Sequence, residues 1–477
     1  MDDVSHAEGA RLFDYSALAL SDAIRRRELS CVEVVRAHLD RIDAIDETFH
    51  ALISRRSRDE ILTEAAERDG DLDRGLWRGW MHGLPHAVKD LAAVRGLRTT
   101  SGFHLPAGAP VAERDDPFVA RIRESGAVFI GKTNTPEFGL GSHTYNAIGP
   151  TTGNVVNPAL SAGGSSGGAA VAVASGMVPV ADGSDFMGSL RNPPGWNGVL
   201  GLRPSPGVIL GPGENPASPG LGVDGPIARS VGDLSALLVT MAEPGMFAEH
   251  DAPHMTWPPR VGWLGDLDGY LPFEDGVLQT CREALHHWSP AAEEVLLRAA
   301  GVYVGTSQLW PTWLTLRHLE VGSWLASEFT DDEISRMKPE ARWELEGFRA
   351  LADGQVNHAR QVQQDLKRAV LSMLDRFDLL VLPTAQCWPF RASQHWPSAI
   401  AGVAMDTYHR WMEVTTLATL AGCPVIAVPA GVNEAGLHIG LQLIGRPGDE
   451  LGLLSWAEQA ERRQIFTVAP PSQAVRP

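Results

Sequence analysis

Short apolar segments alternate with helix signals over residues 83–233, and this alternation constrains the fold more than any other feature of the chain. Residues 84–88 are typical of a buried strand, Asp116-Pro117 supplies a cap followed by proline at the first helical position, and residues 127–130 form the next strand. A strand–helix–strand order favours parallel strands with helices on both faces of the sheet. We therefore predict an α/β fold with a large, mixed, mostly parallel central sheet covered by helices on both faces.

The regions on either side of this core differ from it in pattern. Ser30 and Glu33 form a capping box at the start of an N-terminal helix, and ten of the fourteen tryptophans lie between Trp257 and Trp411. No internal repeat or long linker interrupts the chain. We predict a single domain over residues 1–477 with four parts: N-terminal helices (1–75), a core that carries the chemistry (76–240), a helical, tryptophan-rich elaboration that forms the substrate pocket (245–400), and strands with a helix that complete the sheet (400–477).

Charge and cysteine usage exclude several functional classes. The formal net charge is -18, and a nucleic-acid partner needs a cationic face, so neither nucleic acid nor an anionic membrane is an expected partner. The four cysteines are too scattered for a disulfide framework or a zinc site. Since the acidic N-terminus lacks a signal-peptide profile and no apolar run has membrane-spanning length, we expect a cytoplasmic protein.

The glycine–serine stretch at residues 163–168 permits several interpretations. On composition alone, it is an ordinary flexible turn. A phosphate-binding loop requires a lysine directly after the glycines, and Ala169 stands there instead. Residues 164–168 match the G-x-S-x-G nucleophile elbow, but that elbow follows a strand, and residues 157–162 are a poor strand.

The same stretch, taken with other motifs, resembles the amidase signature family. Each motif is weak alone, whereas the set in this order is highly specific. The resemblance runs from residue 83 to the last helix, weakens between about 245 and 375, and implies the amidase signature fold. The matching segments are residues 83–90, 131–138, 163–168, 183–193 and 422–445.

The resemblance implies a catalytic triad of Lys89, Ser165 and Ser189. Ser189 aligns with the family's nucleophile, Lys89 with its base, and Ser165 with the serine that follows a cis peptide bond and passes protons between them. A lysine can act as a base near neutral pH when burial penalises its charged form. Ser–Lys arrangements then replace the histidine of other serine hydrolases.

The loop before Ser189 is expected to stabilise an oxyanion and to be ordered by polar neighbours. The oxyanion-hole donors implied by the resemblance are the N–H groups of Phe186, Met187, Gly188 and Ser189. The residues implied to support the loop through hydrogen bonds are Ser166, Asp185 and Arg191. Because the family most often has two glycines before the nucleophile, Met187 is a departure, and we expect its side chain to narrow or line the pocket.

Rival bases are present nearby. Lys132 lies at a strand exit without the spacing of a triad, and Lys89 beside Asp90 is, without its motif, typical of a structural ion pair. His82 and His86 are conventional candidates, and His86 becomes relevant only if the nucleophile-elbow interpretation holds.

The resemblance implies a hydrolase that cleaves the C–N bond of small amides through an acyl-enzyme, without metal or cofactor. We expect aryl or alkyl amides, with esters and carbamates (urethanes) as further substrates, and water as the second reactant. A monomer or homodimer is expected. The tryptophans that are candidates for an aromatic pocket wall, and equally for plain core packing, are Trp310, Trp313, Trp324 and Trp388.

Two other functions stay open at this stage. The glutaminase subunit of a tRNA-dependent amidotransferase shares the signature but needs partner subunits, and the aromatic middle and strong acidity of this chain disfavour it. A non-catalytic scaffold is disfavoured because all three triad residues are present.

Overall fold

The computed structural model describes residues 11–105, 108–211, 220–247, 257–297 and 305–474. The acidic N-terminal stretch that lacks a signal-peptide profile begins in residues 1–10, outside the described residues. Within the described ranges, no helix is both long enough and apolar enough to cross a membrane. All four cysteines are buried and free of disulfide bonds.

Helices cover the N-terminal segment and most of the chain between residues 309 and 374. The predicted capping box is confirmed, since Ser30 and Glu33 exchange hydrogen bonds at the start of the second helix. The helices are α1 (Ala17–Arg25), α2 (Cys31–Phe49), α3 (Arg58–Asp73), α4 (Pro117–Glu124), α5 (Gly167–Ala174), α6 (Asn192–Asn197), α7 (Val231–Met241), α8 (Val277–Trp288), α9 (Leu309–Arg317), α10 (Ser323–Glu328), α11 (Asp331–Arg336), α12 (Pro339–Arg349), α13 (Gln355–Leu374), α14 (Thr416–Ala421), α15 (Glu450–Arg462) and α16 (Pro471–Ala474).

The strands form one large sheet and two smaller ones. The strands are β1 (Leu52–Arg55), β2 (Pro85–Lys89), β3 (Val128–Thr133), β4 (Val180–Asp185), β5 (Leu200–Arg203), β6 (Val223–Ala228), β7 (Val261–Trp263), β8 (Glu293–Glu294), β9 (Leu379–Pro383), β10 (Ala399–Ile400), β11 (Val403–Ala404), β12 (Val425–Val432) and β13 (His438–Ile444). The eight-stranded sheet has the order β4-β6-β5-β12-β13-β9-β7-β8, the three-stranded sheet is β1-β3-β2, and β10 pairs with β11.

The predicted α/β class and the large mixed sheet are confirmed, but the prediction of mostly parallel strands is wrong. In the large sheet only β7 pairs in parallel, with β8 and β9, and the other pairings are antiparallel. The physical reason lies at β6. A helical crossover through α6 does give β4 and β5 the same direction, but β6 inserts between them and pairs antiparallel with both. The strand–helix–strand order of the sequence does not reveal such an insertion.

The three-stranded sheet continues beside the large one at β2 and β4. The Lys89 backbone N–H donates to Asp182 Oδ2 at 3.0 Å, and His86 Nε2 lies 3.0 Å from Asp182 Oδ1. These contacts bring the carboxyl end of β2 next to the middle of β4. The core cluster around these strands is formed by residues from Ala17 to Phe466, so segments distant in sequence fix this junction.

The helical segment contributes a second, smaller hydrophobic cluster. A π-helical turn, His318–Gly322, joins α9 to α10. Turns of this kind are rare and occur frequently at functional sites. Val321 and Leu325 from this segment pack with Phe103 and Leu140 of the preceding core loops. The segment is thereby held against the region where β2 and β4 end.

Candidate active site

Lys89 ends β2 with its side chain buried, being only 1% exposed. Its Nζ lies 2.8 Å from Ser165 Oγ, 2.9 Å from Ser166 Oγ and 2.9 Å from Ser184 Oγ. Burial penalises the ammonium form and lowers the pKa of Lys89 to about 7, although the nearby carboxylates, Asp224 first among them, act in the opposite direction. A neutral amine surrounded by hydroxyl groups can accept a proton from one of them.

Ser165 lies between the lysine and the third residue of the predicted triad. Its Oγ is 3.0 Å from Ser189 Oγ, so Lys89, Ser165 and Ser189 form one continuous chain of hydrogen bonds. The peptide bond between Gly164 and Ser165 is cis. A side chain at Gly164 would place its Cβ 2.6 Å from the backbone nitrogen of His143, which explains why only glycine fits here.

The loop that presents Ser189 is ordered by a buried ion pair. Asp185 accepts from both Nε (2.9 Å) and Nη2 (2.8 Å) of Arg191, and also from the N–H groups of Gly188 and Leu190. Burial alone would raise the pKa of Asp185, but the Arg191 and Arg203 guanidinium groups outweigh it and hold the pKa well below its usual range. A permanent negative charge at Asp185 therefore fixes the shape of this loop.

Arg191 in turn uses all five of its N–H donors. Besides Asp185, it donates to Thr415 O, Gln442 Oε1 and Thr419 Oγ1 at 2.7–2.8 Å. These acceptors lie in the C-terminal part of the chain. The loop is consequently tied to elements more than two hundred residues away.

The four predicted oxyanion-hole donors do not share one environment. The Gly188 N–H donates to Asp185 Oδ1 at 2.8 Å and is used inside the loop. Within the described residues, the N–H groups of Phe186, Met187 and Ser189 have no hydrogen-bond partner. Two or three such donors are enough to bind an oxyanion.

A cavity of about 480 Å³ opens beside this cluster. Ser165 and Ser184 of this cluster line it, together with residues from several separate parts of the chain. The residues lining it are Leu91, Ser101, Phe138, Gly139, Leu140, Ser165, Ser184, Asp185, Phe186, Gly222, Val223, Asp224, Arg317, Glu320, Val321 and Trp324. This composition offers a mainly apolar volume with a few charged groups, as small-molecule sites usually do.

The structure places one of the four candidate tryptophans, Trp324, in the cavity wall. Trp313 lies behind the wall, with its ring edge-to-face against Phe186 at 5.7 Å. Trp310 packs near His409 in the interior, and Trp388 donates from Nε1 to the carbonyl of Asp275.

Met187, expected to line the pocket, is 4% exposed and belongs to the main hydrophobic core. It is absent from the described lining of the cavity. The departure from two glycines is therefore accommodated by burying the methionine side chain.

The rival bases are held away from the serine hydroxyls. Lys132 Nζ donates to the carbonyl of Ala92 and to Thr99 Oγ1, and it lies 3.8 Å from Asp90. His86 Nε2 forms a hydrogen bond with Asp182 Oδ1. Both side chains are wholly buried in structural contacts.

Two polar neighbours of Lys89 were missed by the sequence prediction. Ser184 adds a third hydroxyl to the Nζ environment, and Asp182 anchors the Lys89 backbone. Both lie on β4, two residues apart, where alternation puts them on the same face. That alternation, applied to the strand before the loop, is the signal that could have found them.

Comparison with known proteins agrees with this architecture. The sequence profile described as Amidase matches residues 33–261 and 287–454. A glutamyl-tRNA(Gln) amidotransferase subunit from Thermus thermophilus is 33% identical over 467 residues, covering 90% of this chain and 93% of that protein. An acylamidase of Rhodococcus erythropolis is 29% identical, covering 96% and 98%. The fold resembles that of a crystallised bacterial aryl acylamidase of the amidase signature family, with a TM-score of 0.85 at 24% identity and 98% coverage of both chains.

The fold and these matches together define a hydrolase that acts on carbon–nitrogen bonds. The chain belongs to the amidase signature family.

Proposed function

We propose that the protein hydrolyses small aryl and alkyl amides through an acyl-enzyme on Ser189, with Ser165 as the proton bridge and Lys89 as the base. The observation that carries this proposal is the unbroken chain from Lys89 Nζ through Ser165 Oγ to Ser189 Oγ, at 2.8 and 3.0 Å. A buried lysine with a pKa near 7 supports the role of base. A serine hydroxyl is a weak nucleophile until such a base removes its proton.

In the first half-reaction, Ser189 Oγ attacks the amide carbonyl carbon and its proton passes to Ser165, while Ser165 gives its own proton to Lys89. The carbonyl oxygen becomes an oxyanion, and we assign its stabilisation to the N–H groups of Phe186, Met187 and Ser189, which have no hydrogen-bond partner within the described residues. Return of the proton through Ser165 to the nitrogen breaks the C–N bond and releases the amine.

In the second half-reaction, water attacks the ester on Ser189. Its proton follows the same route to Lys89, and the proton then returns to Ser189 Oγ as the acid is released. The same proton route serves both half-reactions, because in each of them an attacking hydroxyl group gives up its proton and the leaving group then takes one. Two successive products imply ping-pong kinetics.

Substrate size and polarity follow from the cavity. Its volume of about 480 Å³ suits a small molecule, and the rings of Phe138, Phe186 and Trp324 favour flat apolar groups. Esters and carbamates (urethanes) present the same electrophilic carbonyl to Ser189, so we propose them as further substrates. The acylamidase relative from Rhodococcus erythropolis supports the assignment to acyl amides.

Active-site labelling tests the mechanism. A sulfonyl fluoride should modify Ser189, detected by peptide mass analysis, and Lys89→Ala should abolish the reaction because the nucleophile loses its base. Lys132→Ala is the matched control, since it removes a second buried lysine that does not contact the serines. Labelling at Ser166 in place of Ser189, or undiminished labelling in Lys89→Ala, would contradict the proposal.

A glutaminase function is the second candidate, favoured by the 33% identity to the amidotransferase protein of Thermus thermophilus. The aromatic wall favours larger, flatter substrates than the glutamine side chain. Incubation of the purified chain alone with an acyl anilide and with glutamine separates the two functions. Turnover of the anilide without partner proteins supports the amidase, and turnover of glutamine alone supports the glutaminase.

A further inference from the structure

Two arginine side chains near the triad differ in how many of their N–H donors are used. Arg191, which orders the loop that presents Ser189, donates all five of them to protein acceptors. Arg317, at the end of α9, lines the cavity. It donates only from Nε to Glu344 and from Nη2 to Tyr408. No step of the proposed hydrolysis uses Arg317.

The donors that stay available are the two N–H groups of Arg317 Nη1. Within the described residues, Nη1 donates to no acceptor. It does not belong to the buried polar atoms that lack a partner, so it keeps contact with solvent although the side chain as a whole is only 4% exposed. Since Arg317 lines the cavity, a molecule bound there can reach this nitrogen.

The orientation of Nη1 is fixed by the opposite side of the guanidinium. Nε and Nη2 share one edge of this planar group, and that edge is bound to the Glu344 carboxylate and, at 2.7 Å, to the Tyr408 hydroxyl. Tyr408 in turn donates to Glu344, which closes the network. Both partners are buried. Because the group is planar, Nη1 cannot turn away without breaking these buried hydrogen bonds.

Aromatic rings hold the guanidinium in the same position. Its Cζ lies 5.2 Å from the ring centre of Phe186 and 5.8 Å from that of Trp313, and the two rings meet edge-to-face. Phe186 also lines the cavity and precedes Ser189 by three residues. A flat substrate group that packs against Phe186 in the cavity therefore lies next to Arg317 as well.

The charge of the guanidinium is already neutralised. Burial alone would raise the pKa of Glu344, but the Arg317 guanidinium and a hydrogen bond with His318 outweigh it and lower this pKa to about 2. Glu344 is therefore ionised at neutral pH and forms a buried ion pair with Arg317. A carboxylate on a substrate would meet this existing negative charge. A neutral oxygen acceptor meets no such repulsion and still receives the N–H group.

We infer that Arg317 is a substrate-binding residue and that the cavity selects amides whose bound group carries a neutral oxygen acceptor, such as a ketone or amide carbonyl, which accepts from Nη1. This inference rests on the proposed amide hydrolysis and specifies its substrate class. A hydrocarbon group of the same shape displaces solvent from Nη1 without replacing its hydrogen bond, and this lowers affinity.

Matched amides test the inference in the native enzyme. Each carries a phenyl ring that is separated from the scissile amide by a methylene group, which insulates the amide from electronic effects. The ring bears, at its meta or para position, a methyl ketone, the isosteric isopropenyl group or a carboxylate. One set has the ring on the acyl side and a second set has it on the amine side, because either side of the scissile bond can contact Phe186.

We expect the ketone in at least one set to exceed its isopropenyl analogue in kcat/KM by about tenfold, as a hydrogen bond from a charged donor provides. The carboxylate should fall below the ketone. Equal values for ketone and isopropenyl analogue in every set, or preference for the carboxylate, would overturn the inference.

Replacement of the arginine tests whether Nη1 causes the preference. Arg317→Lys keeps a positive charge beside Glu344 but loses the second arm of the guanidinium, so the ketone-to-isopropenyl ratio of kcat/KM should fall by several-fold. Arg410→Lys is the matched control, because Arg410 also pairs with a buried carboxylate, Glu413, and packs over a ring, Trp310, but lies outside the described lining of the cavity. The control should keep the native ratio. An unchanged ratio in Arg317→Lys, or an equal fall in Arg410→Lys, overturns the inference.

The two proposals fail in different ways. If neither these amides nor simple anilides, esters and carbamates are hydrolysed, the proposed function fails and the inference fails with it. If the ketone and isopropenyl amides are hydrolysed equally well, only the substrate class assigned to Arg317 fails. The comparison of substrates in the native enzyme does not depend on the folding of either variant.

Discussion

The hydrogen-bonded cluster around Ser189 and the aromatic part of the cavity wall are built in opposite ways. Around Ser189, the supporting arginine is 0% exposed and uses every N–H it has, and Lys89 contacts three hydroxyl groups. In the wall, Trp324 is 41% exposed, and its ring contacts the rings of Phe138 and Phe329. The comparison teaches that the chemistry depends on fixed, charge-assisted hydrogen bonds, whereas Trp324 in the wall lies outside these bonds and can change without disturbing them.

Replacement of Ser189, the proposed nucleophile, gives the largest expected effect on activity. Ser189→Ala should lower kcat/KM by about 10⁴-fold or more, because loss of a nucleophile leaves only the residual catalysis of the oxyanion site. Activity toward a good anilide or ester substrate measures this. The free energy of unfolding should change little, since a single hydroxyl contact to Ser165 is lost. Retention of more than a few per cent of activity would remove Ser189 from the mechanism.

Replacement of Arg191 tests whether the loop that presents Ser189 is ordered by the hydrogen-bond geometry of this arginine or by its charge alone. Arg191→Lys keeps the charge but loses the two-pronged contact with Asp185 and three further acceptors. We expect the free energy of unfolding to fall by about 3 kcal/mol, measured by denaturant titration, because buried polar groups are left without partners.

The matched control for this variant is Arg376→Lys, which changes an exposed arginine in a surface ion pair. Such pairs contribute about 0–1 kcal/mol, so the control should be nearly as stable as the native protein. Equal stabilities for the two variants would show that the buried network does not hold the loop.

The pH dependence of catalysis follows from the lysine. Burial lowers the pKa of Lys89 to about 7, and Lys89 can act as the proposed base only when it is neutral. With a neutral substrate, kcat/KM should therefore rise with pH, reach half its maximum near pH 7 and level off above it. A flat profile from pH 5 to 9 is incompatible with a lysine base.

The variant Asp224→Asn tests whether the midpoint of the pH profile follows the pKa of Lys89. The carboxylate of Asp224 stabilises the charged ammonium and so raises the pKa of Lys89 against the effect of burial. Its neutralisation should lower the pKa further and move the midpoint of the profile to lower pH. A shift to higher pH would contradict the assigned electrostatic role.

The sequence predicted the reacting cluster better than the wall for a physical reason. Lys89 ends β2, Ser165 lies just before α5 and Ser189 follows β4, and each belongs to a contiguous motif whose residue pattern is informative. The wall is assembled from α9, the π-helical turn, α10, β6 and the loops that follow β2, β3 and β4, and these elements meet only through tertiary packing. A π-helical turn has no sequence signature, so the positions of Arg317 and Glu320 could not be derived.

The tryptophan enrichment was informative about the region but not about individual residues. An aromatic side chain packs equally well in a core and in a cavity wall, and composition does not distinguish the two. Trp324 is in the wall, whereas Trp388 is a buried packing residue.

The order of β4, β6 and β5 was unpredictable for a related reason, because strand insertion is decided by long-range pairing.

The smallest expected effect on catalysis is that of Trp324→Ala. Comparison of this variant with Trp388→Ala is the most direct test of the wall. Trp324 is exposed, so its removal should cost less than about 1 kcal/mol of stability, whereas KM for an aryl amide should rise about threefold to tenfold as a ring contact is lost. Trp388 is 7% exposed and lies outside the cavity, so its truncation should cost about 3–5 kcal/mol and leave KM unchanged. Because both variants replace a tryptophan by alanine, their opposite effects on KM and on the free energy of unfolding would separate substrate recognition from core packing. A rise in KM in Trp388→Ala alone would show that the substrate does not bind against Trp324.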